Sequence, residues 1–495
     1  MKYRQGLCFL LDGETVEVEG VNPNRTLLEF LREDKKRSGT KEGCAEGDCG
    51  ACTVVVVDAD ASGKRLEARA VNACICLLPT IDGKELLTVE SLAREELHPV
   101  QQAMLECHGS QCGFCTPGFV MSLFALYKSN EDPGRRDVDD ALAGNLCRCT
   151  GYRPIIRAAK AMYEAAPATG DWISLPAGRG PASDEAEKTD RLQSLVADSP
   201  LRIEAQGRRF FAPRDSGELA LLLQEHPDAT LLAGGTDLAL RVTKQHQDFS
   251  TLVYTGKVAE LCQCEITDTH IEIGAAVSLT DAFSLIAAHY PTLGELFVRF
   301  ASPPIRNAGT LGGNIANGSP IGDSMPALLV LGAEIVLCRG EESRTISLDD
   351  FYVAYQQTAL RPGEFLVRIL LPLPRAGQQL QSYKVSKRFD QDISAVCGAY
   401  RLELDGTRVA DIRIACGGMA EVPKRARNCE QALAGAEWSE SAIDAAMAAF
   451  DEDFTPISDM RAADNYRQQV CKNLLRRFYL ETTSGHPQGV YTYGR

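Results

Sequence analysis

Four cysteines near the N-terminus have the side-chain type and the spacing that an iron–sulfur cluster requires. Cys44, Cys49 and Cys52 lie in one glycine-rich loop with the spacing C-x4-C-x2-C, and Cys74 supplies a fourth thiol. Two irons need four thiolate ligands, and this spacing is that of plant-type [2Fe–2S] sites. We therefore expect these four cysteines to hold one [2Fe–2S] cluster.

The loop around these thiols also suits a cluster that the backbone wraps. Gly43, Gly47 and Gly50 tolerate the positive φ angles that such a loop demands, and its N–H groups can then point toward the sulfurs. A four-cysteine zinc site is the alternative, although zinc modules usually pair two C-x2-C motifs. Cys76 could replace Cys74 as the fourth ligand, but we interpret Cys76 as a buried thiol.

A second group of cysteines follows, and each of its two pairs precedes a predicted helix. Thr116-Pro117 comes directly after the first pair and predicts a cap and a first-turn proline, and a helix starting at Pro154 follows the second pair. Helix starts favour thiolate. Two such sites in one chain indicate electron transfer. The spacing is C-x2-C followed by C-x-C, formed by Cys112, Cys115, Cys147 and Cys149.

The elements that must position the first group read as mixed α and β structure. Alternation on both sides of Asp12-Gly13 predicts a hairpin. Asn24 is a plausible N-cap for the helix that follows. The predicted strands and helix are Cys8–Leu11, Thr15–Val18, Thr26–Leu31 and Thr53–Val57.

Around the second group, the hydrophobic period changes to about 3.6 residues, which predicts helices. From Leu86 to Ala166 the chain reads as a small all-helical bundle. The predicted helices are Pro99–Glu106, Pro117–Tyr127, Val138–Ala143 and Pro154–Ala165.

Two glycine-rich segments in the second half have features of a nucleotide cofactor site. In Leu231-Leu232-Ala233-Gly234-Gly235-Thr236-Asp237, an apolar strand enters a double glycine whose N–H groups can cradle a phosphate. Alone, such a turn is usually only a turn. The segment from Phe300 to Ile315, continued by Ser319 to Asp323, adds an aromatic ring and hydrogen-bonding groups, as a flavin site requires. No G-x-G-x-x-G motif follows a strand and no Walker A motif is present, so a Rossmann site is unsupported.

Together these motifs resemble the xanthine dehydrogenase and molybdenum hydroxylase family. The resemblance rests on C-x4-C-x2-C-x21-C, on Q-C-G-F-C-T-P-G and on N-L-C-R-C-T-G-Y-R-P, and then on the flavin segments. It implies a multidomain α+β protein with four domains: a plant-type β-grasp [2Fe–2S] ferredoxin domain (1–85), an all-α [2Fe–2S] bundle (86–165), an α+β FAD-binding domain of the vanillyl-alcohol-oxidase (PCMH-like) type (199–376), and a C-terminal α+β domain like that of the CO dehydrogenase flavoprotein (377–495). Between the second and third domains, a segment rich in Ser, Ala, Gly, Pro and charge, without sustained periodicity, predicts a linker (166–198).

The resemblance also implies roles for individual residues. Each cysteine group binds one [2Fe–2S] cluster, and Gln111 approaches the pterin of a molybdenum cofactor. Leu231 and Leu232 lead into Ala233 to Asp237, which bind the FAD pyrophosphate, and Phe300 stacks near the flavin. The residues implied to line the FAD are Thr310, Gly313, Asn314 and Asp323.

A basic stretch and a glycine loop complete the implied flavin neighbourhood. Lys387 or Arg388 could meet a dinucleotide phosphate. A solvated face is the alternative interpretation of Lys384, Lys387 and Arg388, and it applies to at least one of them. The loop Gly417 to Glu421 resembles the family's loop beside the flavin, and helices are predicted at Ser439–Phe450 and Asn465–Leu480.

Composition limits the remaining possibilities. The chain has 495 residues, a net charge of −15 and 18 cysteines. No basic run suggests nucleic-acid binding, and no apolar stretch reaches the roughly 18 residues of a membrane helix. Since residues 1–13 lack the apolar core of a signal peptide, we expect a cytoplasmic protein whose other cysteines are small core residues.

By resemblance, electrons pass from a molybdenum cofactor on a partner subunit through two clusters to FAD and then to NAD+. Because the chain ends at Arg495, directly after the flavin half, we expect the small subunit of an enzyme that oxidises hypoxanthine and xanthine to urate. Its partner would be a large molybdopterin-binding subunit, in a heterotetramer with two copies of each chain or a larger assembly. The alternatives are the equivalent subunit of a hydroxylase for aldehydes, CO or N-heterocycles and, more remotely, a zinc-stapled binding protein.

Overall fold

The computed structural model describes residues 3–60, 65–93, 96–164, 185–195 and 199–485. The chain folds as two compact units. Unit 1 contains Met1–Ala259 and Ser302–Gly309, and unit 2 contains Glu260–Ala301 and Thr310–Arg495.

Unit 1 begins with a five-stranded sheet in the order β2-β1-β5-β3-β4. Strands β1 and β5 run parallel, and the other neighbours are antiparallel. The predicted hairpin is confirmed: Asp12 and Gly13 both have positive φ, 58° and 81°, which suits a tight two-residue turn. The strands are β1 (Leu7–Leu11), β2 (Glu14–Val18), β3 (Thr53–Ala59), β4 (Leu66–Asn72) and β5 (Glu85–Leu87).

Strand β3 is buried on both faces, which explains its unbroken apolar run. Val54 and Val56 belong to one hydrophobic core, whereas Val55 and Val57 belong to another. Successive side chains of a strand point to opposite faces of its sheet. The sheet therefore separates two cores, and the helices of the second cysteine group pack against the second core.

The helix after the hairpin begins differently from the sequence prediction. Thr26, not Asn24, is its N-cap: the N–H of Glu29 donates to Thr26 Oγ1 (3.2 Å), and the N–H of Thr26 donates to Glu29 Oε2 (2.8 Å), a capping box. Asn24 is unable to cap because its amide exchanges two hydrogen bonds with the backbone of Phe249. The helical segments are Leu27–Glu29 and Phe30–Asp34.

The four predicted helices around the second cysteine group are all present. Thr116 does not cap its helix as predicted, because Cys115 occupies the cap position and the Thr116 hydroxyl donates to Ser110 instead (2.7 Å). The last helix begins at Arg153, one residue before the predicted Pro154. The helices of this region are Val89–Leu92, Pro99–Glu106, Thr116–Ser129, Arg135–Leu142 and Arg153–Ala161.

The predicted linker at 166–198 contains a helix, Glu185–Leu195. Leu192 is buried in the second core, and Leu195 packs against the same core. These two leucines anchor a segment whose overall composition is that of a linker. Residues 166–184 and 196–198 of the predicted linker lie outside the described residues.

The two cysteine groups are joined at a close backbone approach. The helical Gly118 lies so near Gly50 that a Cβ on Gly118 would sit 2.0 Å from the Gly50 carbonyl oxygen. The same oxygen accepts a hydrogen bond from Asn145 Nδ2 (3.2 Å), and Ser122 Oγ donates to Asn145 Oδ1 (2.6 Å). This buried polar contact fixes the first cysteine loop to the segment that carries the second group.

A second sheet of unit 1 has the order β6-β7-β9-β8. Its strand β8 leads directly into the double glycine that was expected to hold a phosphate. The strands are β6 (Leu201–Ala205), β7 (Arg208–Ala212), β8 (Thr230–Leu232) and β9 (Thr251–Tyr254), and the helices of this part are Ser216–Glu225, Leu238–Thr243 and Pro303–Ala308.

Unit 2 contains a five-stranded sheet in the order β10-β11-β16-β12-β13, the pair β14-β15, and a four-stranded sheet in the order β17-β18-β19-β20. Its strands are β10 (Cys264–Ile266), β11 (His270–Gly274), β12 (Glu334–Arg339), β13 (Glu342–Ser347), β14 (Tyr352–Ala354), β15 (Gln357–Thr358), β16 (Phe365–Pro372), β17 (Gln379–Val385), β18 (Val396–Asp405), β19 (Arg408–Gly417) and β20 (Lys424–Arg425).

The helices of unit 2 include both predicted C-terminal helices, which pack on one face of the four-stranded sheet. Tyr400, on the central strand β18, stacks on Phe478 of the last helix (5.3 Å between ring centroids). No helix in the described ranges combines the length and apolar character of a membrane span. The helices are Leu279–His289, Gly294–Val298, Leu311–Asn317, Ser324–Leu331, Arg427–Leu433, Glu440–Asp453 and Asp464–Ser484.

The tight approach at Gly118 can be tested with a matched pair of substitutions. We expect Gly118→Ala to lower the free energy of unfolding by about 1–3 kcal/mol, because its methyl group would overlap backbone that no rotamer change can move. Gly294 is also helical, and a Cβ there meets nothing within 4 Å. Gly294→Ala should therefore be neutral or stabilising. Urea unfolding followed by circular dichroism measures both, and equal effects would contradict the packing argument.

Candidate cofactor sites

The first cysteine loop turns several backbone N–H groups toward one sulfur. Cys44 Sγ accepts hydrogen bonds from the N–H groups of Glu46 (3.4 Å), Asp48 (3.3 Å) and Cys49 (3.4 Å). Such donors stabilise negative charge on a thiolate. The backbone of the loop therefore provides hydrogen-bond donors that would stabilise an anionic cluster.

The glycines of this loop have two different roles. Gly47 (φ 79°) and Gly50 (φ 67°) have the positive φ angles that the sequence predicted. Gly43 does not: its φ is ordinary, and it is small because a Cβ there would lie 2.7 Å from Cys49 Sγ. The residue that adopts the third positive φ near these thiols is Ala45, at 54°.

The thiols of the first group lie close enough to interact with one another, which indicates that they converge on one site. Interaction with Cys49 and Cys74 lowers the pKa of Cys44. The Cys44 thiol in turn raises the pKa of Cys49, and Cys44 and Cys52 together raise that of Cys74. Cluster binding needs all four as thiolates, so it must displace these protons.

This donor set fits a two-iron cluster, because four thiols and inward N–H groups are the ligands that such a cluster uses. Over the described ranges, no group of three or more His, Cys, Asp or Glu side chains is placed to hold one metal ion. Cys44 interacts with Cys49 and Cys74, and Cys74 also interacts with Cys52.

Asn72 is a loop-positioning residue that the sequence analysis missed. Its side chain is buried and donates from Nδ2 to the carbonyl of Gly47 (2.8 Å), while Asn72 Oδ1 lies 3.9 Å from Cys52 Sγ. The sequence feature that could have indicated this role is a polar residue at the end of strand β4, two residues before Cys74. Asn72 ties the cysteine loop to the strand that leads to the fourth thiol.

Cys76 has a different environment from Cys74. Its sulfur lies 3.4 Å from Thr80 Oγ1, and burial raises the pKa of the Cys76 thiol. Cys74 is the thiol that interacts with both Cys44 and Cys52. The geometry thus supports Cys74 as the fourth ligand, and the ligand set stays a prediction.

The second group forms two interacting pairs near the surface. Cys112 interacts with Cys149 and raises its pKa, and both residues are exposed. Burial and the Cys147 thiol raise the pKa of Cys115 to about 12. The four thiols again provide the donors of a [2Fe–2S] cluster.

Two residues of the T-G-Y sequence after this group hold Cys147 in place. Burial disfavours the Cys147 thiolate, but hydrogen bonds from Thr150 outweigh it and lower the pKa of Cys147. The N–H of Cys147 donates to the hydroxyl of Tyr152 (3.0 Å), and Tyr152 has a positive φ of 66°. The sequence analysis assigned neither residue a role, although the unusual backbone of Tyr152 is what brings its ring back to the cysteines.

The predicted phosphate loop of unit 1 is partly exposed, and its glycines are needed for packing. Gly235 has a φ of 74°. A Cβ on Gly234 would lie 2.0 Å from the carbonyl oxygen of Ala308, so only glycine fits against the helix Pro303–Ala308. Leu232 is buried, whereas the other residues of this predicted segment are at least partly exposed: Leu231, Ala233, Gly234, Gly235, Thr236 and Asp237.

In unit 2, the predicted cofactor residues Thr310, Gly313 and Asn314 stand at one helix. Thr310 caps it, since Gly313 N–H donates to Thr310 Oγ1 (3.0 Å). Asn314 Oδ1 accepts from Ser324 Oγ (2.5 Å). Phe300 packs edge-on against the ring of Phe283, with 5.2 Å between centroids. Each predicted role toward FAD stays a prediction.

Asp323 and Lys384 form a buried ion pair. Lys384 Nζ lies 2.7 Å from Asp323 Oδ2 and also donates to the carbonyl of Arg299 (3.1 Å). Ser394 Oγ donates to the other carboxylate oxygen (2.7 Å). The exposed side-chain fractions are only 3% for Lys384 and 6% for Asp323. A solvated face is therefore the wrong interpretation of Lys384.

The residues expected to contact a dinucleotide phosphate are more exposed than Lys384. Lys387 Nζ donates to the carbonyl of Met460 (3.0 Å). Arg388 donates to the carbonyl of Gln391 (2.8 Å) and pairs with Asp392 (3.5 Å). Gln111, in unit 1, is exposed.

The glycine loop at residues 417–421 is held by a buried arginine that the sequence analysis missed. Gly418 has a φ of 78°, and its N–H donates to the carbonyl of Pro320 (2.8 Å). Arg467 Nη1 donates to the carbonyls of Gly418 (3.0 Å) and Ala395 (2.5 Å), and its Nη2 lies 2.7 Å from Asp459 Oδ1. The guanidinium thus joins two loops to the last helix.

Comparison with family models matches four consecutive segments. They are a 2Fe-2S iron-sulfur cluster binding domain at residues 9–79, a [2Fe-2S] binding domain at 88–160, an FAD binding domain in molybdopterin dehydrogenase at 204–374 and a CO dehydrogenase flavoprotein C-terminal domain at 381–482. The predicted fold class is confirmed.

Among curated proteins, the chain is 33% identical to a xanthine dehydrogenase of Emericella nidulans and 31% identical to a xanthine dehydrogenase/oxidase of Gallus gallus, in both cases over 96% of its own length. It spans only 38% and 40% of those proteins.

Among solved structures, a carbon monoxide dehydrogenase from Hydrogenophaga pseudoflava matches 57% of this chain and 96% of its own chain, at 29% identity and a TM-score of 0.52. Quinoline 2-oxidoreductase from Pseudomonas putida 86 matches 55% of this chain and 96% of its own, at 27% identity and a TM-score of 0.51.

The choice between Cys74 and Cys76 can be tested by metal analysis. We expect Cys74→Ser to reduce the iron content from about four to about two per chain, because one of two [2Fe–2S] sites loses a thiolate. Cys76→Ser is the matched control and should keep about four irons and the brown colour. The opposite result would exchange their roles, and a colourless chain containing zinc would support the zinc alternative.

The buried pair predicts a non-additive double-mutant cycle. Lys384→Met should lower the free energy of unfolding by about 3–5 kcal/mol, because it leaves a buried carboxylate without its cation. The double variant Lys384→Met/Asp323→Leu should be considerably more stable than that single variant. Arg339→Met removes an exposed pair with Glu342 and should cost less than about 1 kcal/mol. A double variant that is no more stable than Lys384→Met in urea unfolding would contradict the pairing.

Proposed function

We propose that this chain is the electron-transfer subunit of a xanthine dehydrogenase, a member of the molybdenum hydroxylase family, and the order of its four matched domains supports this. In this role it takes electrons released from hypoxanthine or xanthine on a partner subunit and delivers them to NAD+. Urate is the product of that oxidation, a step of purine catabolism.

One observation carries the choice of xanthine dehydrogenase. The match to xanthine dehydrogenases runs through 96% of this chain, so cluster and flavin regions follow in the same order within one polypeptide. The carbon monoxide dehydrogenase and quinoline oxidoreductase chains instead match 57% and 55% of this chain while being covered over 96% of their own length. The presence of the cluster and flavin regions in one polypeptide therefore supports the choice of xanthine dehydrogenase.

The cofactors would supply one-electron transfer at the two [2Fe–2S] clusters and conversion of single electrons to a hydride at FAD. The chain's own part is to hold them. Cys44, Cys49, Cys52 and Cys74 would bind the more buried cluster. The exposed Cys112 and Cys149 would place the other cluster where a partner subunit can approach it.

Other parts of the chain would serve the flavin and the acceptor. Ala233 to Asp237 would bind the FAD pyrophosphate through exposed N–H groups, and Phe300 would lie near the flavin ring. Thr310, Gly313, Asn314 and Asp323 would line the cofactor. Asp323 would do so with its carboxylate already fixed by Lys384 and Ser394.

The acceptor NAD+ would meet Arg388 or Lys387. Arg388 is the better candidate for a phosphate contact, because its guanidinium is 58% exposed and its ion pair with Asp392 is long, at 3.5 Å. The loop at Gly418 would border the same region. These assignments rest on the family resemblance together with the exposure of the side chains.

The proposed partner is a large molybdopterin-binding subunit, in an assembly with two copies of each chain or more. Gln111, which is exposed, would approach the partner's pterin. We place the complex in the cytoplasm and expect neither nucleic-acid nor membrane binding.

The second candidate is the equivalent subunit of another molybdenum hydroxylase. The structural likeness to carbon monoxide dehydrogenase and quinoline 2-oxidoreductase favours this alternative. Aldehydes, CO and N-heterocycles are then the substrates to compare. Substrate choice would lie on the partner subunit in every case.

An activity assay on the chain alone and with its co-purified partner tests the proposal. We expect NADH to bleach the flavin and cluster absorption of the isolated chain, which should not turn over xanthine. With its partner, xanthine:NAD+ activity should appear and exceed that with quinoline, CO or an aldehyde. Xanthine turnover by the chain alone would contradict the division of labour. A preference for another substrate would establish the second candidate.

A further inference from the structure

A cavity of about 320 Å³ in unit 2 is lined by three arginines. Its walls include Arg375 in the segment after β16, Arg401 on β18 and Arg413 on β19. Its volume is at the lower end of the range of small-molecule sites. None of its lining residues belongs to the cofactor residues discussed above.

The strand register places like charges opposite each other in this cavity. Arg401 pairs directly with Arg413 across β18 and β19, and Glu403 pairs directly with Asp411. Like charges in directly opposed positions destabilise a sheet. Such a register needs a compensating partner for the charges.

That compensation is incomplete within the protein. Arg401 Nη2 bonds to Asp411 Oδ2, and Glu403 accepts a hydrogen bond from Gln378 Nε2 (2.8 Å). Arg401 is only 8% exposed, and its Nε has no hydrogen-bond partner among the described residues. Throughout the same ranges, the guanidinium groups of Arg413 and Arg375 have no hydrogen bond or ion pair.

The surroundings of Arg413 increase the need for an anion. Burial and the charges of Arg401 and Arg425 lower the pKa of Arg413. Gly332, at the end of the helix Ser324–Leu331, makes room for this side chain, because a Cβ there would lie 2.5 Å from Arg413 Nη1. The carboxylates of Asp411 and Asp349 partly offset these effects, but no described residue hydrogen-bonds or pairs with the half-buried guanidinium, and an unpaired buried charge is costly.

We propose that this cavity binds a small phosphate monoester that also carries hydroxyl groups, with Arg375 and Arg413 holding the phosphate. A phosphate dianion matches two unpaired guanidinium groups, and their N–H donors suit its oxygens.

The other polar residues of the lining restrict the rest of the ligand. Glu403, Asp411 and Tyr290 also line the cavity, and the Tyr290 hydroxyl donates to the carbonyl of Pro372 (2.6 Å). Carboxylates accept hydrogen bonds from hydroxyl groups and repel a second anionic group. A sugar phosphate fits this lining, whereas a bisphosphate with a phosphate at each end does not.

The test uses the full chain with its cofactors bound, and isothermal titration calorimetry with ribose 5-phosphate as the probe. Inorganic phosphate and ribose are the comparison ligands. We expect ribose 5-phosphate to bind more tightly than either of them. Arg375→Met/Arg413→Met should weaken binding of ribose 5-phosphate at least about tenfold, because two charge-assisted hydrogen-bonding groups are lost.

Arg408→Met is the matched control, because Arg408 lies on the same strand β19 but is exposed and donates to Gly435. It should bind the probe as the unsubstituted chain does. Thermal unfolding and the flavin spectrum report whether each variant folds, and reduction by NADH should be unchanged in the double variant.

Three results would overturn the proposal. They are no measurable binding of ribose 5-phosphate at millimolar concentration, equal affinity for inorganic phosphate, and equal weakening by Arg408→Met. Loss of NADH reduction in the double variant would instead assign the cavity to the dinucleotide. If the single variant Arg413→Met folds where the double variant does not, the same affinity comparison applies to it.

Discussion

The carbonyl oxygen of Gly50 is the point on which the arrangement of the two cysteine groups depends. It accepts hydrogen bonds from the N–H and the hydroxyl of Thr53 and from Asn145 Nδ2. The first cysteine loop and the segment between the two cysteine pairs of the second group therefore share one buried acceptor. The N–H of Leu146 also donates to the carbonyl of Cys49 (3.0 Å). These bonds hold the two cysteine groups at a fixed separation within unit 1.

Unit 2 manages buried charge in two different ways. At Asp323 the carboxylate is fully engaged by Lys384 and Ser394, and at Arg467 the guanidinium bonds two carbonyls and a carboxylate. These charges hold loops in place. Arg413 differs because burial and neighbouring cations oppose its charge. Charges that bond within the protein help to specify the structure, whereas a guanidinium without a partner among the described residues keeps its N–H donors available to a ligand.

Several features were predictable because they depend on local sequence. The hairpin at Asp12-Gly13 follows from alternation and from a turn pair that accepts positive φ. The cysteine spacings and the helices of the second group are similarly local. Other features were not predictable. Thr26 caps its helix because Asn24 is bound to Phe249, which is far away in the chain. From the sequence, Lys384 was expected to be a surface residue. The structure shows it buried in an ion pair with Asp323, which is distant in the chain.

By itself, the sequence determined the types and spacing of the eight thiols, the order of the cluster and flavin segments, and most helices and strands, since these reflect periodicity and short-range chemistry. Only the tertiary structure decided why Gly43 and Gly234 must be glycine, because the atoms that exclude a side chain there come from Cys49 Sγ and from Ala308. It also decided the role of Asn72 and the opposition of Arg401 and Arg413. Those contacts join residues whose proximity depends on packing and register, which no local pattern encodes.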